Sequence, residues 1–196
     1  MLDEKRINEI KKRVANYIKD GIIRKREEKK FVEFFLSNAR NSLDSAKLLF
    51  EVSTKNNLKN SLGFVDFNGF LWVINASYYS MFYTARALLE NEGIKIKTEL
   101  SIHAVIFDAL IYYFYLTDKL QKKFIEDFAE AKEEASEILG EEKAKELIED
   151  YFYEKKKRAL FTYEMGAIAM QNKAQTSLER AKRFNEEIRK IIELEK

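Results

Sequence analysis

Residues 75–103 read N-A-S-Y-Y-S-M-F-Y-T-A-R-A-L-L-E-N-E-G-I-K-I-K-T-E-L-S-I-H. Aromatic and small residues alternate along the first half. Tyr78, Tyr79, Phe82 and Tyr83 stand against Ala76, Ser77, Ser80 and Ala85. Small side chains let neighbouring helices approach closely, and tyrosines fill the remaining space while their hydroxyls seek partners. The stretch belongs to a helix expected over about Phe70–Glu92. Gly93 follows just past its end, where a left-handed residue is wanted. No face of this helix is polar, so Tyr78, Tyr79, Phe82 and Leu89 are expected to be buried, and Trp72 to lie in the core. The uncharged run Phe67–Ala85 has 19 residues, long enough to cross a bilayer. It carries Asn68, Asn75, Ser77, Ser80 and Thr84, and it reads instead as the central helix of a soluble bundle, with no membrane partner.

Other helices follow outward from this one. Ile7, Ile10, Val14 and Ile18 recur at helical spacing, giving an amphipathic helix over 3–19 that stops at Asp20-Gly21. Phe31, Phe34, Phe35, Ala39, Leu43, Ala46, Leu49 and Phe50 mark a second over about Lys30–Thr54. Lys55–Gly69, with four Asn and two Gly, reads as a long surface loop. Ile94–Thr98 alternates briefly and suits an extended connector. Ser101 is placed to cap a helix through His103, Ile106, Leu110 and Tyr113. Thr117-Asp118 is expected to open the next, with Leu120, Phe124, Phe128, Ala131 and Ala135 on its apolar face. Gly140 interrupts it, another runs from Glu141 toward Tyr163, and Gly166 marks a bend. The last helix carries Ala174, Leu178, Ala181, Phe184, Ile188, Ile191 and Ile192 on one stripe.

Composition agrees. The chain has 196 residues, no proline and six glycines. Without the strongest helix breaker, and rich in Lys, Glu, Leu, Ile and Ala, it should be all-α. Apolar residues make up 46%, enough for one core. The expected fold is an up-and-down bundle of four to five main helices with an added N-terminal helix. The absence of cysteine removes disulfides and thiolate chemistry. With one histidine, His103, a multi-histidine metal site is excluded within one chain, and no cofactor is expected. Many Lys and Glu with no Cys lean toward a thermophilic source. The start of the chain is charged from its third residue, so no signal-peptide core is expected there and the expected location is cytoplasmic.

Charge is segregated. Residues 1–30 hold eleven Lys and Arg against six Asp and Glu, a net +5. Residues 118–154 hold 13 acidic and 6 basic residues, a net −7, and Lys155-Lys156-Lys157-Arg158 follows at once. Solvated helix faces with i,i+4 pairs account for such a pattern. Docking of the basic helix on an acidic face, of its own chain or of a partner, is the sharper alternative. The phosphate-binding glycine loops and the nucleophile elbow are missing from the sequence. Glu133, Glu134 and Glu137 lie in a polar stretch and read as surface residues.

The constellation from Tyr78 to His103 resembles the HEPN domain (higher eukaryote and prokaryote nucleotide-binding), in its small stand-alone archaeal and bacterial form. That family carries Y-Y-x-M-F-x-x-A-x-x-L-L, a glycine turn, then a polar stretch ending in Ser or Thr with a His near a helix start. Here Tyr78-Tyr79-Ser80-Met81-Phe82-Tyr83-Thr84-Ala85-Arg86-Ala87-Leu88-Leu89 fits, with Gly93 and Ser101-Ile102-His103 after it. The resemblance covers about residues 31–194, so the chain divides into a basic N-terminal helix, 1–30, and a HEPN-like bundle, 31–196. Ribonuclease members of the family show R-x4-6-H before the last helix, and non-nuclease relatives show R-x-x-A-D-Y. This chain has Arg158-Ala159-Leu160-Phe161-Thr162-Tyr163: Arg158 matches the arginine, and Tyr163 stands where the histidine would be.

RNA cleavage through the 2′-hydroxyl needs a group that exchanges protons near neutral pH. Histidine does so with a pKa near 6.5, whereas tyrosine sits near 10. Tyr163 can donate a hydrogen bond or stack on a base, and Arg158 can hold a phosphate with its planar fork. Lys155, Lys156 and Lys157 would add charge. His103 matches the family's helix-start histidine and not the catalytic one. The resemblance implies a homodimer, often paired with a minimal nucleotidyltransferase as in toxin–antitoxin modules. The expectation is a non-catalytic member that binds its partner protein, or nucleotide or RNA. An active metal-independent RNA-cleaving toxin and a helical scaffold without ligand are the alternatives.

Overall fold

The computed structural model describes residues 3–97, 101–139 and 159–194, with side chains described at all of these except 138–139 and 159–167. The expected helix from Glu141, the interruption at Gly140 and the block Lys155–Arg158 lie outside the described residues. Over the described residues the protein is all-α apart from one small two-stranded ribbon.

Helix α1 spans Glu4–Lys19, and the Asp3 carboxylate caps it by accepting from the backbone N–H of Arg6 at 2.8 Å. The chain turns at Asp20-Gly21, as its sequence suggests, and enters strand β1, Ile23–Lys25. Helix α2 covers Val32–Thr54, α3 Asn56–Leu62 and α4 Phe70–Asn91. Strand β2, Ile94–Ile96, pairs antiparallel with β1 in the register Ile23↔Ile96 and Lys25↔Ile94. Helix α5, Ile102–Leu110, runs on as a π-helical turn over Ile111–Tyr115. Helix α6 is Lys122–Leu139 and α7 is Ala159–Leu194.

Packing registers give the helix directions. Phe31 meets Glu90, Arg86 lies over the Phe35 ring, Ser80 bonds Ala39, Phe70 packs on Phe50 and Gly69 bonds Ser53. Positions rise in α2 as they fall in α4, so the two are antiparallel. Along α6 and α7, Glu137 meets Lys173, Glu134 meets Ser177 and Phe128 stacks on Phe184, again antiparallel. The α4–α7 contact is parallel: Phe70, Val73 and Ile74 cluster with Ala174 and Leu178, and further on Asn185 donates to Ser80 at 2.6 Å. Ser80 in turn donates to the Ala39 carbonyl at 2.7 Å. One small polar residue thus ties three helices at a point where a larger side chain would hold them apart.

Burial corrects several expectations. Tyr78, Phe82 and Leu89 are buried, but Tyr79 is only half-buried. Trp72 is 61% exposed and not in the core. At 100° per residue it lies roughly 160° from Ile74, on the opposite side of the helix. Phe31 and Phe34 are exposed as well, because Phe35 holds the inward position and the other two rings pack against it and each other. The stretch expected as a loop contains α3. Ser101 precedes α5 with φ 58 and makes no side-chain cap. In that left-handed conformation it departs from the extended backbone that capping uses. Thr117-Asp118 does not open a helix. The π-helical run ends at Tyr115, Asp118 follows in the turn with φ 58, and α6 begins at Lys122. No bend occurs at Gly166, which lies within α7. A glycine inside a helix costs about 1 kcal/mol, yet α7 continues through it over 36 residues.

The basic N-terminal helix docks on its own chain. Ile10 and Val14 are fully buried in the main core. Arg13 grips Asp108 of α5 with two bonds, 2.7 and 2.8 Å, and the Asp108 side chain is 3% exposed. The bond to Asp108 holds the Arg13 guanidinium above its usual pKa.

Candidate functional site

The turn after α4 decides where α5 begins. Gly93 adopts φ +72, β2 returns along β1, and α5 then places His103 on its second residue against α4. The hydroxyl of Tyr78 lies 2.6 Å from Nδ1 of His103. The Phe82 ring lies against the imidazole at 4.4 Å between centroids, and Tyr79 meets it edge-on at 6.0 Å. Tyr78 also packs on Phe128 of α6. The two halves of the sequence signature, 25 positions apart, therefore meet in one aromatic cluster.

Electrostatics fix the protonation of this pair. Burial pushes His103 below its usual pKa, and the Lys132 ammonium on α6 pushes in the same direction. Burial pushes the Tyr78 phenol well above its usual value, with Tyr79 adding to it. At neutral pH both groups are uncharged. The phenol makes no other hydrogen bond among the described residues, and which of the two partners donates is set by the imidazole tautomer. Either way one ring nitrogen of His103 is engaged with Tyr78, and its affinity for a proton is lowered.

Tyr79 and Tyr83 are half-buried and lie on the outer edge of the same cluster. Their rings touch at 6.2 Å between centroids. Such partly exposed rings offer the flat apolar faces on which bases stack.

The remaining expected site residues are placed as follows. Arg158, Lys155, Lys156 and Lys157 lie outside the described residues. Tyr163 is on the second turn of α7, and its side chain is outside them too. Of the carboxylates read as surface residues, Glu133 and Glu137 are exposed, but Glu134 is half-buried. It accepts from Ser177 at 2.8 Å and from Arg180 at 2.9 Å. Arg180, itself buried, also bonds Glu130 at 2.7 Å and lies 3.7 Å from Asp127. This network ties α6 to α7 and satisfies a buried guanidinium. Among the described residues no group of three or more His, Asp or Glu could hold a metal ion, and no helix is long and apolar enough to cross a membrane.

Lys132 beside His103 and the Arg13–Asp108 tie escape sequence reasoning. Neither is part of a local pattern: Asp108 is 95 positions from Arg13. The one available signal for Asp108 is its charge within the apolar run of α5, where a lone carboxylate needs a partner. No protein-family model and no curated protein matches the chain.

Proposed function

We propose that the chain is a HEPN-like helical protein that binds nucleotide or RNA without cutting it. It acts as a cytoplasmic homodimer beside a minimal nucleotidyltransferase, in a system of the toxin–antitoxin type. The observation that carries the reading is the 2.6 Å contact between Tyr78 and His103, because it joins in space the two motifs on which the resemblance rests. Two features favour binding over turnover. Tyr163 stands at the position of the family's ribonuclease histidine. His103, the remaining histidine, is kept neutral by burial with its Nδ1 engaged. Arg158 with Lys155, Lys156 and Lys157 is the block that would hold phosphate.

The test is binding of a short single-stranded RNA, followed by fluorescence anisotropy at rising salt. Affinity should fall linearly on a log–log plot, with a slope set by the number of phosphates neutralised. Arg158→Ala should weaken binding and flatten that slope. Binding that ignores both salt and Arg158 would refute the assignment. Sedimentation should show a species twice the 23.2 kDa chain mass. A 23.2 kDa species alone at micromolar concentration would remove the dimer from the proposal.

A further inference from the structure

Helix α4 is buried on every side but one. Between Trp72 and Arg86 the positions that are not buried are Trp72, Asn75, Ala76, Tyr79, Tyr83 and Arg86. At about 100° per residue they fall within one arc of about 120°. Arg86 is the one charged residue among them, and it is turned over the Phe35 ring at 4.2 Å. Helix α2 is divided in the same way. Glu33, Arg40, Asp44, Lys47 and Glu51 fall within an arc of about 60°. Phe34, Asn38, Asn41, Ser42, Ser45 and Leu48 occupy a separate arc of about 120°, without a charge and with none of them buried. Phe34 and Leu48, like Trp72, are more than half exposed.

The two uncharged arcs adjoin. Glu90 stands about five turns beyond Trp72 on the same line of α4, and it accepts from the Phe31 N–H at 3.1 Å. The Phe31 ring in turn meets Phe34. The other side of α2 turns away: Phe50 packs on Phe70, in the cluster that holds Ala174 and Leu178 of α7. The arc from Phe34 to Leu48 therefore flanks the open side of α4. From Trp72 to Glu90 this face runs about 27 Å, close to the breadth of the patch of about 800 Å² that each partner brings to a stable interface. Exposed faces elsewhere carry charge, as with Lys5, Glu9 and Lys12 on α1 or Glu130, Glu133 and Glu137 on α6. In a chain with 35% charged residues, a two-helix face this free of charge marks an interaction surface.

We propose that this α2–α4 face docks the same face of a second copy of the chain about a two-fold axis. A two-fold contact sets residues near the axis against their own counterparts. A charge there would meet its like, so a face cleared of charge on both helices fits a self-contact. It does not fit a nucleic acid or an anionic membrane, both of which are held by cations. Its content is that of an interface core: Trp72, Tyr79 and Phe34 are aromatic anchors, and Asn38 and Asn41 can hydrogen-bond across. The inference rests on the homodimer proposed above and names its surface. Tyr79 and Tyr83 then meet the partner and not a base, and phosphate binding by the block ending at Arg158 does not depend on them.

The test is sedimentation velocity of the full chain over a range of concentrations. Phe34→Glu combined with Trp72→Glu puts like charges into the contact from both copies, and circular dichroism checks that the helical content is kept. The dimer dissociation constant should rise at least about thirtyfold. Arg40→Glu, on the charged arc of α2, changes the net charge of the chain by the same amount and should leave that constant as it is. The chain has no cysteine, so one spin label at Ser45→Cys reports the contact directly. Labels on the two copies should lie within about 30 Å of each other, the breadth of such a patch. A dimer that survives the double variant, or labels farther apart than this, overturns the face and leaves the homodimer standing. An unmodified protein that stays monomeric at micromolar concentration overturns the second copy as the occupant, and the homodimer with it.

Discussion

Gly93→Ala tests how tightly the N-terminal segment is stitched to the helical core. Gly93 has φ +72, and a side chain in that left-handed region costs about 1–2 kcal/mol. The added Cβ would sit 2.2 Å from the Arg26 carbonyl oxygen, a backbone atom that cannot swing aside. The segment must therefore retreat, and the 2.7 Å bond from the Arg26 N–H to Gly93 is lost. A typical bond of this kind contributes about 1 kcal/mol. Together these give about 2–3 kcal/mol. At about 2–4 °C per kcal/mol for a chain of this size, the melting temperature should fall by about 4–12 °C. Gly63→Ala is the control. Gly63 has φ +74 but open space where the Cβ would go, so it bears the conformational cost alone. Any gain from a stiffer unfolded chain is shared by both variants. Urea unfolding followed by circular dichroism should rank Gly93→Ala about 1 kcal/mol or more below Gly63→Ala. Equal losses would refute the claim that close approach to Arg26 is what Gly93 provides.

Other perturbations separate the elements of the account. Arg13→Ala should destabilise more than Asp108→Asn, by urea unfolding. The first strands a carboxylate that is 3% exposed, at about 3–5 kcal/mol, while the second frees a guanidinium that is 45% exposed and can turn to water. Removal of residues 1–20 should lower thermal stability and solubility, because it uncovers Asp108 and the core under Ile10 and Val14; an unchanged melting curve would contradict the docking. Phe82→Ala should cost about 3–5 kcal/mol, and Tyr79→Ala clearly less, since that ring is half-exposed. His103 is pushed below its usual 6.5 by burial and by Lys132, so the unfolded chain takes up its proton first. Stability from this group is whole above about pH 6.5 and declines as pH falls through that value. His103→Gln should abolish the slope that sets in below about pH 6.5, and a slope that survives would assign it to carboxylates.

The parts legible in the sequence are those set by local periodicity. Helix α2 was expected over 30–54 and runs 32–54, and α4 over 70–92 and runs 70–91. In both, apolar spacing speaks for itself, and Gly69 and Gly93 bracket α4. What the sequence hides is non-local. The three-residue strand β1 has no meaning until β2 arrives 71 positions later at Ile94. Three phenylalanines at 31, 34 and 35 look alike on paper, and only tertiary packing, which seats Phe35 in the main core with Arg86 over its ring, separates them. Trp72 illustrates the same limit: its size argues for burial, its angle on α4 forbids it. At the site, the meeting of Tyr78 and His103 across 25 positions follows from no periodicity. Lys132 enters it only because α6 crosses α4 through Phe128.

Incubation of a labelled RNA with the purified protein at pH 7, in the presence of a chelator, bears most directly on the claim that this protein binds without cutting. The account predicts intact RNA at protein concentrations that shift its mobility, and Tyr163→His as the substitution that would introduce cleavage. Cleavage by the unmodified protein that Tyr163→Phe or Arg158→Ala abolishes would contradict it.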